Sequence, residues 1–214
     1  MAGAGSRLLD FDRECSRQGA RRLAGVDEAG RGCWAGPVVA AAVILPPDWC
    51  PDGLDDSKKL SARRRESIYA ELRAGALAWG ACAVGPRVID RRNILAATMQ
   101  AMTAAVARLA PPPDLLLVDG LQTPDVPCEA RALVKGDGTS AAVAAASVLA
   151  KVLRDRIMIA WDRRYPGYGF AGHKGYGADA HRQALDTLGP CPLHRATFKP
   201  VARLLQGDLW GDSR

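Results

Sequence analysis

An apolar run at residues 37–45 is the feature that most constrains how this chain folds. The run is β-branched near both ends, and Pro46 and Pro47 close it. A shorter apolar segment begins at Leu23, and the glycine-rich stretch 30–36 lies between the two. Two apolar runs separated by glycines are typical of a β-hairpin. We therefore predict that the sheet begins with an antiparallel hairpin.

Helical and extended patterns alternate after this hairpin. Ser61 is a good N-cap for a helix over residues 62–74, and the continuous apolar run 115–118 suits a strand buried on both faces. The same criteria predict strands at 76–84 and 132–134 and helices at 94–109, 140–163 and 180–188, with loops at 46–60, 121–130 and 166–177 and an irregular segment after Pro190. Residues 1–20 indicate a loose lead-in or a short helix. Strands first, then helix and strand in alternation, predict an α/β fold with a mixed sheet.

Composition and charge limit the class of protein. The 214 residues include 29 Lys and Arg against 23 Asp and Glu, so the formal net charge is +6. The hydrophobic and charged fractions, 48% and 24%, exclude wholesale disorder and support one domain with its own core. The positive charge modestly favours a polyanionic partner.

Targeting and redox features point to the cytoplasm. The most apolar stretch, residues 140–150, is about half as long as a membrane-spanning helix and ends at Lys151. The N-terminal segment has no continuous apolar region of the kind found in secretory signals. The six cysteines are scattered without CxxC pairs, which indicates reduced thiols. We therefore expect no membrane association and a cytoplasmic location.

Acidic residues stand where predicted strands end. Asp27 and Glu28 follow the first strand, Asp119 follows the run 115–118, and Asp137 lies between a strand and the long helix. Ligand sites of open α/β sheets gather at strand ends. Carboxylates that converge there repel one another and need a compensating cation. Oxygen ligands without a local His or Cys cluster point to Mg²⁺ or Mn²⁺. Loop and capping roles for the same acids are an equally good interpretation at this point.

Asp155 is the rival of Asp137 for a place among these acids. It lies about 15 residues into the long helix, which at 1.5 Å per residue is roughly 22 Å from the start of that helix. Asp137 lies at the start itself, beside the strand ends. Asp155 also has an i,i+4 partner in Lys151. We therefore predict a structural role for Asp155.

The glycine-rich stretch after the first strand has two interpretations. Adjacent strand residues point to opposite faces, so Asp27 and Glu28 share one site only if the strand breaks, and Ala29-Gly30 supplies the break. The segment Gly30-Arg31-Gly32 is either a hairpin turn with positive φ or a backbone that approaches a ligand closely. It is not a dinucleotide-binding fingerprint, because a strand follows it where that fingerprint needs a helix.

Other residues also have both functional and structural interpretations. Lys58 and Lys59 lie in a loop before a helix, where they either hold phosphates or face solvent. Tyr176 stands between glycines and either stacks on a nucleotide or packs within its loop. Cys191 and His194 have a metal-like spacing, but a structural zinc needs four ligands and no convincing fourth appears.

The segment Gly25-Val-Asp-Glu-Ala-Gly-Arg-Gly32 and the apolar run after it form a specific signature. It continues in order with Asp56-Ser-Lys-Lys-Leu60, Leu117-Val-Asp-Gly120, Lys135-Gly-Asp137, Ala144-Ala-Ala-Ser-Val-Leu-Ala-Lys151, Arg154-Asp155, Tyr165-Pro-Gly-Tyr168, His173-Lys-Gly-Tyr-Gly177 and Pro190-Cys-Pro-Leu-His-Arg195. Together these motifs resemble those of bacterial ribonuclease HII, the type 2 ribonuclease H. They cover residues 23–201, nearly the whole chain.

This resemblance implies a fold and a reaction. The fold is an RNase H-like mixed five-stranded sheet flanked by helices, with a C-terminal helical extension. The implied divisions are a lead-in (1–20), a catalytic domain (21–201) and a tail (202–214). The reaction is endonucleolytic cleavage of RNA in RNA/DNA hybrids and incision 5′ of single ribonucleotides in duplex DNA, which leaves a 3′-hydroxyl and a 5′-phosphate. Two Mn²⁺ or Mg²⁺ ions are implied when substrate is bound.

The resemblance also assigns roles to residues. Asp27, Glu28, Asp119 and Asp137 match the family's catalytic and metal-binding carboxylates, and we expect Asp27 and Asp119 to be the shared ligands. The backbone of Gly30-Arg31-Gly32 and the side chain of Tyr176 match the family's elements that bind substrate and sense the RNA–DNA junction. With the two loop lysines, the expected substrate-binding residues are Gly30, Arg31, Gly32, Lys58, Lys59 and Tyr176.

The resemblance also implies binding partners for the protein, and two alternative functions stay open. The implied partners are an RNA/DNA hybrid and a ribonucleotide-containing DNA duplex, and we expect a monomer. The sequence after Val201 contains no sliding-clamp peptide that we recognise. The alternatives are a protein that binds hybrids without cutting them and another two-metal enzyme of the same fold, such as a Holliday-junction resolvase.

Overall fold

A computed structural model describes residues 4–206, and its centre is one five-stranded sheet. In chain order the strands are β1 (Leu23–Ala29), β2 (Val38–Ile44), β3 (Ala78–Val84), β4 (Leu115–Asp119) and β5 (Glu129–Leu133). Their spatial order is β3-β2-β1-β4-β5. β2 pairs antiparallel with β1 and β3, whereas β4 pairs parallel with β1 and β5. The predicted hairpin and mixed α/β sheet are confirmed.

Helices cover both faces of the sheet and form the C-terminal region. In chain order they are α1 (Ala4–Arg17), α2 (Ala62–Gly75), α3 (Pro86–Arg92), α4 (Ile94–Val106), α5 (Ala141–Arg164), α6 (Phe170–His173), α7 (Asp179–Leu188) and α8 (Lys199–Leu205). Helices α1, α2 and α5 pack on one face, and α3 and α4 pack on the other. A 3₁₀ turn, Gly136–Gly138, precedes α5. The expected C-terminal helical extension is therefore present in α6 to α8.

The longest helix, α5, lies across β1 and β2 and holds the core together. Its residues 141–150 are all buried, and seven of these ten are alanine or serine. Gly25 of β1 lies beneath it, at a point where a Cβ atom would collide with the backbone of Ala142 and Val143. Because neither surface carries a bulky side chain there, helix and sheet approach closely.

Two side chains fix where α5 begins. The Ser140 hydroxyl accepts a hydrogen bond from the Val143 amide at 3.3 Å, as an N-cap residue does. A carboxylate oxygen of Asp12 in α1 accepts another from the Ala142 amide at 2.9 Å. These contacts satisfy backbone donors that a helix leaves unpaired in its first turn. They also attach α1, within the predicted lead-in, to the core.

Several boundaries differ from the sequence predictions. Pro86 not only ends a strand but opens the unpredicted helix α3, because proline suits the first helical position. β5 spans Glu129–Leu133, not 132–134, because its pairing partner in β4 sets its register. Short helices α6 and α8 occupy segments predicted to be irregular. The N-cap at Ser61 is confirmed, since its side chain accepts from the Arg64 amide.

Residues 1–3 and 207–214 lie outside the described residues, and they include most of the predicted tail (202–214). Between residues 4 and 206, no helix has the length and apolar character required to cross a bilayer.

The close contact between α5 and β1 leads to a stability prediction. We expect Gly25→Ala to lower the free energy of unfolding by at least about 3 kcal/mol, because its methyl group meets backbone atoms that cannot rotate away. Gly172→Ala is the matched control, since a Cβ there meets no described atom within 4 Å. Chemical denaturation measures both, and equal midpoints for the two variants would contradict the close packing.

Candidate active site

Three carboxylates converge at the edge of the sheet where β1 and β4 end. Asp27, Asp119 and Asp137 each contribute one oxygen, and these oxygens lie within 4.8 Å of one another. Asp27 and Asp137 are buried and Asp119 is half-buried. No other group of three or more potential metal ligands comes this close within residues 4–206. The convergence expected from the strand ends is therefore present for these three acids.

Strand register explains the convergence. The parallel ladder between β1 and β4 ends at the pair Val26–Val118, so Asp27 and Asp119 both follow its last pair and lie side by side. The Gly136 amide then donates to Asp119 Oδ1 at 2.8 Å, which draws the 3₁₀ turn and its Asp137 toward β4. Three segments distant in the sequence are thus joined by backbone pairing and one side-chain contact.

Glu28 joins the same cavity from the other side of Asp27. The cavity has a volume of about 210 Å³, and Asp27, Glu28 and Asp119 all line it. The prediction that Asp27 and Glu28 follow the first strand is wrong, because β1 remains paired with β2 through Ala29 and so includes both acids. Glu28 Oε1 lies 3.5 Å from the Arg31 guanidinium. Glu28 is therefore adjacent to the group of three and accessible to a ligand in the cavity.

Burial and mutual repulsion raise the pKa values of Asp27, Glu28 and Asp137. Burial raises the pKa of Asp27 well above that of an ordinary aspartate, and the charges of Glu28 and Asp119 add to this. Burial also raises the pKa of Glu28, which Arg31 partly offsets. The pKa of Asp137 is raised by burial and then by Asp119. The folded chain thus disfavours the charged forms of these three acids, and a bound cation would favour them.

The donor set fits a divalent cation of the Mg²⁺ or Mn²⁺ kind. All the clustered ligand atoms are carboxylate oxygens, which hard cations prefer. The nearest protein cation to the cluster is held loosely, because Lys58 Nζ lies 3.5 Å from Asp137 Oδ2 on a side chain that is 79% exposed. Such a long, exposed pair compensates little charge.

The two predicted loop lysines behave differently. Lys58 lines the cavity and faces Asp137, whereas Lys59 pairs with Asp55 at 3.1 Å. Lys151 of α5 also lines the cavity, and its ammonium lies 2.7 Å from Asp155. The i,i+4 pair expected from the sequence is thus present. Asp155 therefore has a cationic partner on its own helix.

Tyr176 and the glycine turn (residues 30–36) border the acids. Tyr176, Gly30 and Arg31 line the cavity with the carboxylates, and the Tyr176 ring is 41% exposed. Gly30 has a φ of +95°, and a Cβ there would collide with the Arg154 side chain. A Cβ on Gly32 would meet no described atom within 4 Å. Gly30 is therefore required by the turn itself, while Gly32 faces open space.

Two fully buried arginines, which sequence reasoning missed, hold the glycine turn. Arg195 donates to the carbonyls of Gly30, Arg31 and Gly36 at 2.6–3.1 Å. Arg154 donates to the carbonyls of Ala35, Pro37 and Lys174 at 2.9–3.1 Å. These partners are backbone atoms up to 165 residues away, so no local pattern indicates them. Each arginine lies in one of the family motifs, Arg154-Asp155 and the motif that ends at Arg195, and the sequence gives no other sign of their role.

The metal-like spacing near the C-terminus gathers no group of three potential ligands within residues 4–206. His181 Nε2 and His194 Nε2 lie 3.0 Å apart, which is a hydrogen-bond distance. Both rings pack against Phe170, and His194 also packs against Tyr168.

Comparison with known proteins identifies the family. The family model described as Ribonuclease HII matches residues 24–201. The chain belongs to the ribonuclease HII family. It is therefore a metal-dependent ribonuclease H, and its membership supports activity on RNA/DNA hybrids.

Individual relatives agree with this assignment. The Ribonuclease HII of Syntrophotalea carbinolica is 55% identical over 92% of this chain and 94% of the relative. The crystal structure of the ribonuclease H2 from Pyrococcus horikoshii OT3 matches with a TM-score of 0.73 at 24% identity, over 86% of this chain and 97% of that one. The structure of Bst-RNase HIII in complex with Mn²⁺ matches with a TM-score of 0.69 at 19% identity, over 97% and 73% of the two chains. The last two likenesses concern the fold.

The site geometry separates Asp137 from Asp155 in a testable way. Asp137→Asn should abolish most cleavage activity with little change in melting temperature, because it removes a buried, repelled charge from the cluster. Asp155→Asn should retain most activity and lose up to about 1 kcal/mol of stability with the Lys151 pair. Hybrid cleavage and thermal melting of both variants measure this. The reverse pattern would assign the catalytic role to Asp155.

Proposed function

We propose that this enzyme cleaves the RNA strand of RNA/DNA hybrids and incises duplex DNA 5′ of a single ribonucleotide. The products carry a 3′-hydroxyl and a 5′-phosphate. The observation that carries this proposal is the convergence of Asp27, Asp119 and Asp137 beside a cavity that also contains the glycine turn and Tyr176. Metal ligands and elements suited to read a sugar thus lie in one place.

Four carboxylates of the chain would hold two Mn²⁺ or Mg²⁺ ions when substrate is bound. Asp27 and Asp119 belong both to the group of three carboxylates and to the lining of the cavity, and we propose them as shared ligands, with Glu28 and Asp137 on the outer sides. When bound, such ions supply an activated water and stabilise charge on the departing oxygen. The chain contributes rigid placement, because strand pairing fixes Asp27 and Asp119 and the Gly136 amide orients the Asp119 carboxylate.

Substrate phosphates need cations outside the carboxylate cluster. Lys58 and Lys151 line the cavity, and Arg31 lies beside Glu28, so a strand that crosses the cavity meets positive side chains next to the acids. Phosphate contacts of this kind position a nucleic acid without reading its sequence. We propose that Lys59, which pairs with Asp55, contributes to phosphate binding through the positive electrostatic potential of its loop.

Recognition of the ribose is assigned to the glycine turn and Tyr176. The 2′-hydroxyl both donates and accepts hydrogen bonds, so backbone groups can recognise it if they approach closely enough. The open space at Gly32 allows that approach, and the arginine-held carbonyls of Gly30 and Arg31 keep the backbone fixed. We propose that the Tyr176 ring, which lines the cavity, packs on the next sugar, where a deoxyribose fits and a 2′-hydroxyl would crowd it.

We propose that the enzyme acts as a monomer, because the clustered carboxylates, the cavity lysines and Tyr176 come together within a single polypeptide. A cytoplasmic location accords with a nucleic acid substrate and with Cys15, Cys33, Cys82, Cys128 and Cys191, none of which forms a disulfide. Oligomeric state is measured by light scattering at assay concentration. A second copy that is required for cleavage would contradict the monomer proposal.

A cleavage assay on three substrates tests the function as a whole. The substrates are a continuous hybrid, a duplex with one ribonucleotide and a four-way DNA junction, each with Mg²⁺ or Mn²⁺. We expect cutting of the first two only, with the single-ribonucleotide cut on its 5′ side. Binding without cleavage would indicate a hybrid-binding protein, and junction cleavage would indicate a resolvase.

Asp119→Asn tests the shared-ligand assignment. Cleavage should fall by at least about a hundredfold, because loss of a shared ligand forfeits several kcal/mol of transition-state charge stabilisation. Binding of hybrid in metal-free buffer should persist or tighten, since the change removes a negative charge near phosphates. Added Mn²⁺ should raise the melting temperature of the wild type more than that of the variant. Near-normal turnover at saturating Mg²⁺ would refute the assignment.

Tyr176→Ala tests the junction-sensing role. The variant should lose more kcat/KM on the single-ribonucleotide duplex than on the continuous hybrid, by about tenfold in the ratio, as expected for one lost stacking contact. Its dependence on Mg²⁺ concentration should stay unchanged, because Tyr176 holds no metal. An equal loss on both substrates would make Tyr176 a general binding or structural residue.

A further inference from the structure

All three histidines of the chain surround the loop that carries Tyr176, here the Tyr176 loop (residues 174–177). His173 ends α6, His181 lies in α7 and His194 lies just before Arg195. The rings of His173 and His181 stack with centroids 4.3 Å apart, and those of His181 and His194 are 5.2 Å apart. His181 and His194 are buried. The function proposed above gives these rings no role.

Hydrogen bonds fix which nitrogen of His181 carries the proton. Its Nδ1 lies 2.9 Å from the carbonyl oxygen of Tyr176, which can only accept. Nδ1 therefore donates, and in a neutral ring Nε2 must then accept. The group that faces this Nε2, at 3.0 Å, is Nε2 of His194. His194 must accordingly donate through its own Nε2.

The contacts of the other ring nitrogen of His194, Nδ1, agree with this direction of hydrogen-bond donation. Its Nδ1 lies 2.9 Å from the Cys191 amide nitrogen, which can only donate. The same Nδ1 is 3.2 Å from the Cys191 carbonyl oxygen, which is a longer contact than the one to the amide nitrogen. Protons thus point one way, from the Cys191 amide through His194 and His181 to the carbonyl of Tyr176. We call this chain of contacts the histidine relay.

Both relay histidines must be neutral for the chain to hold. A proton added to either ring would set two N–H groups face to face between His181 and His194, or His194 Nδ1 against the Cys191 amide. Burial, with a smaller contribution from the neighbouring His173, lowers the pKa of both rings to about 4. The relay is therefore intact at neutral pH.

His173 secures the other end of the same loop. Its Nε2 lies 2.7 Å from the Tyr168 carbonyl and so donates, which leaves Nδ1 to accept from the Gly175 amide at 3.1 Å. Gly175 has a φ of +82°, and a Cβ there would lie 2.5 Å from the Ala35 carbonyl oxygen. The residue before Tyr176 is thus held through its amide, and Tyr176 itself through its carbonyl.

The loop held in this way is joined directly to the glycine turn. The Gly175 carbonyl accepts from the Trp34 amide at 2.8 Å, and the Trp34 carbonyl accepts from the Arg195 amide at 2.8 Å. Arg195 follows His194 in the sequence and holds Gly30 and Arg31. The His194–Arg195 pair therefore connects the two segments, because His194 contacts the Tyr176 loop through His181 and Arg195 holds the glycine turn directly.

We propose that His173, His181 and His194 are positioning residues that hold Tyr176 in register with the glycine turn, so that the two read one ribonucleotide together. None of the three lines the cavity beside the carboxylates. This inference rests on the proposed junction-sensing role of Tyr176, and it adds that selectivity depends on buried neutral rings behind the loop.

Nitrogen NMR of the wild-type protein tests the relay itself. Long-range proton–nitrogen spectra of the imidazole rings at pH 7 distinguish the two neutral tautomers and the cation. We expect His181 to be the Nδ1–H tautomer and the other two histidines to be Nε2–H tautomers. A cationic His181 or His194, or an Nε2–H tautomer at His181, would overturn the relay, and this measurement needs no variant.

A matched pair of variants tests what the relay does. His181→Asn keeps an amide nitrogen where Nδ1 was and so retains the donor to Tyr176, whereas His181→Gln places its amide toward His194 and loses that donor. The ratio of kcat/KM on single-ribonucleotide duplex to that on continuous hybrid should fall about fivefold for the Gln variant, which is the factor for one hydrogen bond of ordinary net strength. The Asn variant should keep most of the wild-type ratio.

A double variant separates this inference from the proposed function. In the Tyr176→Ala background, His181→Gln should lower the ratio no further, because its effect passes through Tyr176. A wild-type ratio for His181→Gln, or an equal loss on both substrates with a lowered melting temperature, would overturn the positioning role. If Tyr176→Ala itself leaves the ratio unchanged, the sensing function fails whatever the histidines do.

Discussion

The close contact between α5 and β1 is the constraint on which the remaining geometry depends. Gly25 removes the side chain that would otherwise separate helix and strand. With the helix seated there, Ser147 reaches Asp27 and lowers its pKa through a side-chain hydrogen bond, against the larger effect of burial. One helical turn further, Lys151 lines the cavity, and Arg154 holds the loops beyond it. The helix α5 thus supplies Ser147 to a carboxylate, Lys151 to the cavity and Arg154 to the surrounding loops.

The active-site acids work against the stability of the fold that carries them. Burial and mutual repulsion raise the pKa values of Asp27, Glu28 and Asp137, which means that their charged forms are destabilised in the folded state. Nearby polar contacts, such as the 2.6 Å bond between Ser57 and Ser147, hold the surrounding backbone in place. The strain of the cluster is the kind that cation binding relieves, so the same arrangement that costs stability provides affinity for metal.

Much of the fold could be predicted from the sequence because its signals are local. The hairpin, the buried strand that ends at Asp119 and the Ser61 cap each depend on residues close together in the chain. The convergence of Asp27, Asp119 and Asp137 also followed from where acids meet strand ends. Whether those acids were catalytic or merely capping stayed open until family motifs entered, since spacing alone does not distinguish the two.

The features that escaped prediction depend on partners far away in the sequence. Arg154 and Arg195 contact backbone carbonyls more than a hundred residues distant, and carbonyls have no sequence signature. The histidine relay depends on tautomers, which only three-dimensional placement determines. The start of β5 was misplaced because its register is set by pairing with β4 and by no pattern of its own.

The side chains that hold the glycine turn and the Tyr176 loop share one property, which is that none of them is an acid. Buried arginines usually pair with carboxylates, yet Arg154 and Arg195 are satisfied here by carbonyl oxygens of the glycine turn and the Tyr176 loop. The histidines behind the loop are neutral. A carboxylate in any of these places would add negative charge beside four acids and the phosphates of a nucleic acid. Carbonyl acceptors and neutral rings give the loops the same rigidity while they leave the surface of the cavity attractive to a polyanion.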